Sequence, residues 1–143
     1  GKKVAIIGAG GASRAIAYVI KELGAKACVF NRTLAKARLI AEKYGFDYAT
    51  LGPESLEKLN KYSDVIVQTT SKGMGSNDPS NPENDPIWFY DFNGEEYVYD
   101  VIYSPEVTPV MARADASGCK VCNGAGMLLY QGIAQFELYK QLV

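Results

Sequence analysis

The run Val4-Ala5-Ile6-Ile7-Gly8-Ala9-Gly10-Gly11-Ala12-Ser13-Arg14-Ala15 reads as a strand, a glycine turn and the start of a helix, and nothing else in the chain narrows its fold as sharply. Val4 to Ile7 is uninterrupted apolar, the pattern of a parallel strand covered on both faces. Gly8 lets the chain leave that strand in a tight turn, while Gly10 and Gly11 carry no side chain that would hold an anionic ligand away from the backbone. Ala12, Ile16, Val19, Ile20 and Leu23 then recur at helical spacing up to Gly24, so a helix follows whose N-terminus, with its partial positive charge, faces the turn. The pyrophosphate of a dinucleotide is the expected occupant of Gly8, Ala9, Gly10, Gly11 and Ala12; the alternative is a glycine turn in another doubly wound protein that binds none. The third glycine of the common G-x-G-x-x-G pattern is replaced by Ser13, which moves the expected close helix-to-strand packing to Ala12 and Ala15.

The second strand, Lys26 to Phe30, selects between dinucleotides. Its C-terminal end is where an acidic residue would accept hydrogen bonds from the ribose 2'-hydroxyl of NAD, and no Asp or Glu stands there. The chain has Asn31-Arg32-Thr33, with Lys36 about one helical turn after Arg32. Two cations without a carboxylate suit the 2'-phosphate of NADP, and a planar guanidinium can also lie over the adenine ring. The competing reading is a solvated basic helix start with Thr33 as N-cap.

At 143 residues the chain is the length of one domain, able to bury about 70% of its unfolded surface without disulfides or metal. A net charge of -1 points to neither a nucleic-acid nor a membrane surface, and no apolar run reaches transmembrane length. With no targeting segment, the expected location is the cytoplasm. The chain begins at Gly1 and enters its first strand within two residues, as a fragment of a longer protein would. Histidine is absent, so Ser-His-Asp and Cys-His chemistry is excluded within these residues. Cys119-x-x-Cys122 has no second pair to complete a metal site, and Cys28, Cys119 and Cys122 are expected as buried or half-buried free thiols.

Strand and helix patterns alternate along the rest of the chain. A helix from Thr33 to about Tyr44 turns Ala37, Ile40, Ala41 and Tyr44 inward and stops at Gly45. A short strand around Phe46 to Ala49, a brief helix from Gly52-Pro53 through Leu59 and a buried strand from Val65 to Thr69 follow. Ser76 to Pro86, dense in Ser, Asn, Asp and Pro, reads as a solvated loop. Tyr97 to Ile102 is the next strand, and Thr108-Pro109 opens a helix that closes at Gly118. Lys120 to Cys122 is the last short strand, and a long helix from about Gly126 places Met127, Gln131, Ala134 and Leu138 on one face, with the amide of Gln131 interrupting an apolar stripe. The expected architecture is α/β: a Rossmann-like doubly wound parallel sheet of about six strands, in one domain over residues 1–143.

Five ordered segments carry a family resemblance: Gly8 to Ala15, Asn31-Arg32-Thr33, Thr70-Ser71-Lys72-Gly73-Met74, Tyr99-Asp100-Val101-Ile102-Tyr103-Ser104-Pro105, and Asn123-Gly124-Ala125-Gly126-Met127-Leu128-Leu129-Tyr130-Gln131. Together they resemble the NADP-binding C-terminal domain of the shikimate dehydrogenase family over essentially the whole chain. The resemblance implies that Gly8 to Ala12 hold the pyrophosphate and that Asn31, Arg32, Thr33 and Lys36 bind the 2'-phosphate. It further implies that Thr70, Ser71, Gly73 and Met74 flank the nicotinamide, that Val101, Gly124 and Met127 belong to the same cofactor site, and that Tyr103 and Gln131 reach the substrate. The activity implied is NADPH-dependent reversible reduction of 3-dehydroshikimate to shikimate, with the catalytic Lys and Asp pair supplied by a preceding domain. Gln68-Thr69 stands where Asn-Ala is common, Lys36 where Arg is common and Val101 where Met is frequent. A quinate/shikimate dehydrogenase using NAD, or a non-catalytic NADP-sensing domain, are the alternatives.

Overall fold

Apolar strands and amphipathic helices alternate in the computed structural model, which describes residues 2–101 and 107–123. Strand β1 (Lys3–Ile7) leads through the glycine turn into helix α1 (Gly11–Glu22), followed by β2 (Lys26–Asn31), α2 (Leu34–Tyr44) and β3 (Asp47–Thr50). A single 3-10 turn at Pro53–Ser55 runs into α3 (Leu56–Lys61), and β4 (Val65–Gln68), β5 (Tyr97–Asp100), α4 (Pro109–Ala116) and β6 (Lys120–Asn123) complete the described elements. The six strands lie in the order β3-β2-β1-β4-β5-β6, and every neighbouring pair is parallel. After three strands laid down in one direction the chain crosses back to β1's other side. That reversal between β1 and β4 opens the crevice in which such sheets bind ligands.

The sheet carries a core on each face, as a parallel sheet with buried strands requires. Val4 and Ile6 of β1 join Ile16, Ala17 and Ile20 of α1 and Ala37, Ile40 and Ala41 of α2 on one side. Ala5 and Ile7 face the other way, onto Leu59 and Tyr62 and onto Val110 and Ala114 of α4. Alternate residues of one strand thus enter opposite cores, and Val4 to Ile7 are all fully buried.

Three local expectations need correcting. Ala15 is exposed and Ala12 only half-buried, whereas Ser13 is fully buried with its hydroxyl donating to the Gly10 carbonyl at 2.6 Å. Ser13 itself therefore makes the close helix-to-sheet contact, its small volume fitting and its one polar atom satisfied within the turn. Second, Ser76 to Pro86 is solvated only in its first part. Asn84, Asp85 and Pro86 are buried, and Ile87 and Tyr90 beyond them enter the second core. Asp85 accepts from Ser80 Oγ (2.7 Å), from the Ile87 amide (2.9 Å) and from Arg113 Nε of α4 (3.0 Å). Third, strand limits shift by a residue or so: β3 begins at Asp47, β4 ends at Gln68, and β5 ends at Asp100. Gly45, at φ 72, closes α2 as expected, and α4 has Thr108 as N-cap.

Candidate functional site

The C-terminal edge of the sheet is built from the strand ends outward. At β1 the chain turns through Gly8, whose φ of +110° belongs to glycine and whose amide donates to the Phe30 carbonyl at 2.7 Å. The Ile7 carbonyl beside it accepts from both the amide (2.8 Å) and the hydroxyl (2.7 Å) of Thr69. A Cβ at Gly8 would collide with that Thr69 hydroxyl, so the fold itself demands glycine here.

Gly10 and Gly11 are different. Neither has a positive φ, and a Cβ on either would meet no protein atom within 4 Å. Nothing in the fold requires glycine at these positions. What two missing side chains leave open is space in front of the first turn of α1, which has no side-chain cap and no acidic residue. Backbone N–H groups at a bare helix N-terminus favour an anion, and the pyrophosphate of a dinucleotide fits this cradle.

Across the edge from β1, β2 ends at Asn31, whose side-chain amide donates to the Thr33 carbonyl at 3.0 Å and shapes the turn into α2. Thr33 occupies the N-cap position, but its hydroxyl makes no cap bond, and the first turn of α2 holds no acidic residue. Arg32 and Lys36 are exposed, and neither is held in an ion pair among the described residues. Cations are disfavoured at a helix N-terminus unless an anion shares the site, so the helix alone does not account for their placement.

On the far side of the crevice, the residues after β4 form successive turns, with the Met74 amide donating to the Ser71 carbonyl and the Ser76 amide to the Gly73 carbonyl, both at 3.1 Å. Gly73, at φ +95, is buried against Asn84, Thr108 and Pro109, while Ser71 and Met74 are exposed, Met74 at 65%. Val101 continues from β5, its amide donating to the Gln68 carbonyl at 3.0 Å. Gly8 to Ala12, Asn31 to Lys36, Thr70 to Met74 and Val101 are thereby brought to one edge of the sheet. Gly124, Met127, Tyr103 and Gln131 lie outside the described residues.

Three polar residues at this edge, which the sequence showed only as Gln68 beside Thr69, as Asp100 within a motif and as Thr108 opening a helix, form a connected buried group. Gln68, Asp100 and Thr108 are all fully buried and hydrogen-bonded to one another in a chain. The available signal was a Gln and an Asp closing strands that are otherwise apolar or aromatic. Tyr99, next to Asp100, has a buried hydroxyl with no hydrogen-bond partner among the described residues. Burial, with smaller contributions from Cys122 and Asp100, pushes it up to about 12, so it remains a neutral donor at physiological pH.

Cys119 and Cys122 do not converge. Cys119 sits in the α4-side core with its thiol donating to Glu96 at 3.3 Å, and Cys122 packs against the opposite core. Both are free thiols, as is buried Cys28, and burial raises all three, Cys28 to about 12 and Cys119 to about 11. A cleft of about 530 Å³ opens at the other end of the strands, between Gly24 to Ala27 and Gly45 to Asp47. Its lysines, Lys21 and Lys26, are exposed surface residues, and it offers no bare helix N-terminus.

The profile of the shikimate / quinate 5-dehydrogenase family matches residues 1–75. A shikimate dehydrogenase (NADP(+)) of Bartonella henselae is 37% identical over 141 residues, covering 96% of this chain and 47% of that protein. Among solved structures, shikimate 5-dehydrogenase of Thermus thermophilus, in complex with NADP(H) and shikimate, superposes with a TM-score of 0.69 at 32% identity, over 99% of this chain and 51% of that one. The Listeria monocytogenes enzyme, in complex with shikimate and NAD, gives a TM-score of 0.72 at 31% identity, over 99% and 52%. The chain spans about half the length of the relatives it matches. With the glycine turn and the end of the second strand inside the matched residues, and with those residues making up more than half of the sequence, the chain belongs to the shikimate / quinate 5-dehydrogenase family.

Proposed function

We propose that this chain is the NADP(H)-binding part of a cytoplasmic shikimate dehydrogenase, in which it seats the cofactor and forms one wall of the substrate site. The observation that carries the reading is the pairing of an open glycine cradle at Gly10 and Gly11 with Arg32 and Lys36 at an acid-free second strand end. Gly8 to Ala12 hold the pyrophosphate; Asn31, Arg32, Thr33 and Lys36 take the 2'-phosphate. Thr70, Ser71, Gly73, Met74 and Val101, with Gly124 and Met127, form the nicotinamide side. Tyr103 and Gln131 reach the substrate. When bound, the nicotinamide supplies a hydride to the carbonyl carbon of 3-dehydroshikimate, and a proton delivered to the oxygen completes shikimate. No histidine is available for that proton within these 143 residues, and a Lys and Asp pair of a preceding domain is proposed as its source. This chain's own contribution is binding and orientation.

Calorimetric titration tests the cofactor assignment. NADP+ is expected to bind more tightly than NAD+, and Arg32→Ala to remove most of the difference. A lost charge-assisted contact to the 2'-phosphate corresponds to about ten- to a hundred-fold in affinity. Equal affinity of the unaltered chain for the two cofactors would refute the 2'-phosphate site and favour the NAD-using reading, which the NAD-bound Listeria structure keeps in view.

A further inference from the structure

The buried polar chain at the C-terminal edge ties the ends of β4 and β5 to the start of α4. Asp100, the last residue of β5, is fully buried, with one carboxylate oxygen accepting from Gln68 Nε2 at 3.3 Å and the other from Thr108 Oγ1 at 2.7 Å. Gln68, the last residue of β4, grips both backbone polar groups of Thr70: its Nε2 donates to the Thr70 carbonyl at 3.1 Å, and its Oε1 accepts from the Thr70 amide. Thr108 caps α4 by accepting from the Met111 amide at 3.4 Å, and a Cβ on Gly73 would lie 3.5 Å from its own Cβ. The path therefore closes on itself, from Thr70 through Gln68, Asp100 and Thr108 to Gly73, around the turn that leaves β4.

A buried carboxylate is costly unless its hydrogen bonds are satisfied, and an apolar strand end would serve packing alone at least as well. The strand order says what the enclosed turn faces. A dinucleotide lies across the β1/β4 reversal with one mononucleotide on each side, and Arg32 and Lys36 claim the adenosine half for the β2 side. The nicotinamide half then falls over the ends of β4 and β5, where Thr70 to Gly73 and Val101 stand.

We propose that Asp100, acting through Gln68 and Thr108, is the positioning residue for the nicotinamide half of the cofactor site. It fixes the 70–73 turn and the start of the segment at Val101 relative to each other. The inference rests on the proposed cofactor reading. It separates from that reading because it concerns one half of the ligand alone.

The test compares NADP+ with 2'-phospho-ADP-ribose, which keeps the adenosine, 2'-phosphate and pyrophosphate and lacks the nicotinamide, on the full 143-residue chain. The unaltered chain is expected to prefer NADP+ by about tenfold, the scale of one or two ordered contacts. Thr108→Val should erase that preference while leaving affinity for 2'-phospho-ADP-ribose within about twofold, and Thr108→Ser should restore it. Should Thr108→Val fail to fold, Asp100→Asn keeps the shape but cannot accept equally from both partners, and loss of the preference is expected there too. A preference that survives these substitutions, or equal weakening of both ligands, overturns the positioning role and leaves the cofactor reading intact. Failure of the unaltered chain to bind either ligand overturns both.

Discussion

Glycine serves two purposes within four residues of this chain, and the distinction bears directly on function. Gly8 is required by the fold: its φ of +110° and the contact a Cβ would make with Thr69 both exclude other residues. Gly10 and Gly11 satisfy no such demand. Gly11→Ala should raise the melting temperature, since alanine is the better helix former by up to about 1 kcal/mol, while weakening NADP+ binding. Gly8→Ala should lower the melting temperature whatever the ligand does. Thermal unfolding with and without NADP+ separates the two effects; if Gly11→Ala left cofactor affinity unchanged, the cradle would not be where the pyrophosphate sits. The three glycines were legible as a motif, but their division of labour was not, because it depends on φ angles and on where Thr69, just beyond the end of β4, lies. Ser13 shows the same limit. Ser13 in place of the motif's third glycine moved the expected packing to Ala12 and Ala15, whereas in the fold Ser13 itself is buried with its hydroxyl satisfied by the Gly10 carbonyl.

At the scale of elements, the periodic strands and helices were readable because burial on both faces of a parallel sheet leaves apolar runs that polar turns interrupt. The connection from β4 to β5 was not, since its order comes from long-range polar contacts that no local pattern encodes. Arg113 of α4 is the centre of that order: it pairs with buried Asp85, donates to the carbonyls of Ile87 (2.7 Å) and Tyr90, and lies 4.8 Å from the Phe92 ring centroid. Arg113→Met removes the counter-charge of buried Asp85, which keeps only Ser80 Oγ and the Ile87 amide as donors, and should cost about 3 kcal/mol in urea unfolding; a loss under about 1 kcal/mol would show the clasp to be incidental. Glu96 closes the same connection. It accepts from Tyr90 Oη at 2.5 Å, from the Asn93 and Gly94 amides and from the Cys119 thiol. Burial works to raise Glu96, and these donors outweigh it, holding the carboxylate below its ordinary value of 4.5. A folded-state value below the unfolded one gives stability that is present above about 4.5 and lost as pH falls toward the folded value. Stability should therefore decline on acidification through that range, and Glu96→Gln should flatten part of the decline. An unchanged acid limb in Glu96→Gln would assign the loss to other carboxylates.

On the scale of the molecule, the sheet has two ends with different chemistry. The C-terminal edge gathers the glycine turn, the Arg32 and Lys36 cations and the Gln68–Asp100–Thr108 chain, whereas the opposite end holds the cleft lined by Lys21, Lys26, Tyr44 and Phe46. By volume alone that cleft would draw attention. By chemistry it lacks the convergent backbone donors that an anionic cofactor requires. The alternation of strands and helices made a doubly wound parallel sheet legible, but the strand order β3-β2-β1-β4-β5-β6, and with it the position of the crevice, comes from the folded sheet, because the same alternation also suits other doubly wound orders. The buried polar group beneath that edge was not legible either, because Gln68, Asp100 and Thr108 come from three elements that only the folded sheet brings together. The central claim, that NADP(H) lies across the C-terminal edge with its 2'-phosphate beside Arg32, is most directly tested by amide chemical-shift mapping on titration with NADP+. The account predicts shifts concentrated at Gly8 to Ser13, Asn31 to Lys36 and Thr70 to Val101's end of the sheet, with the 31–36 group losing its shifts when NAD+ replaces NADP+. Shifts confined to Lys21, Lys26, Tyr44 and Phe46 would contradict it.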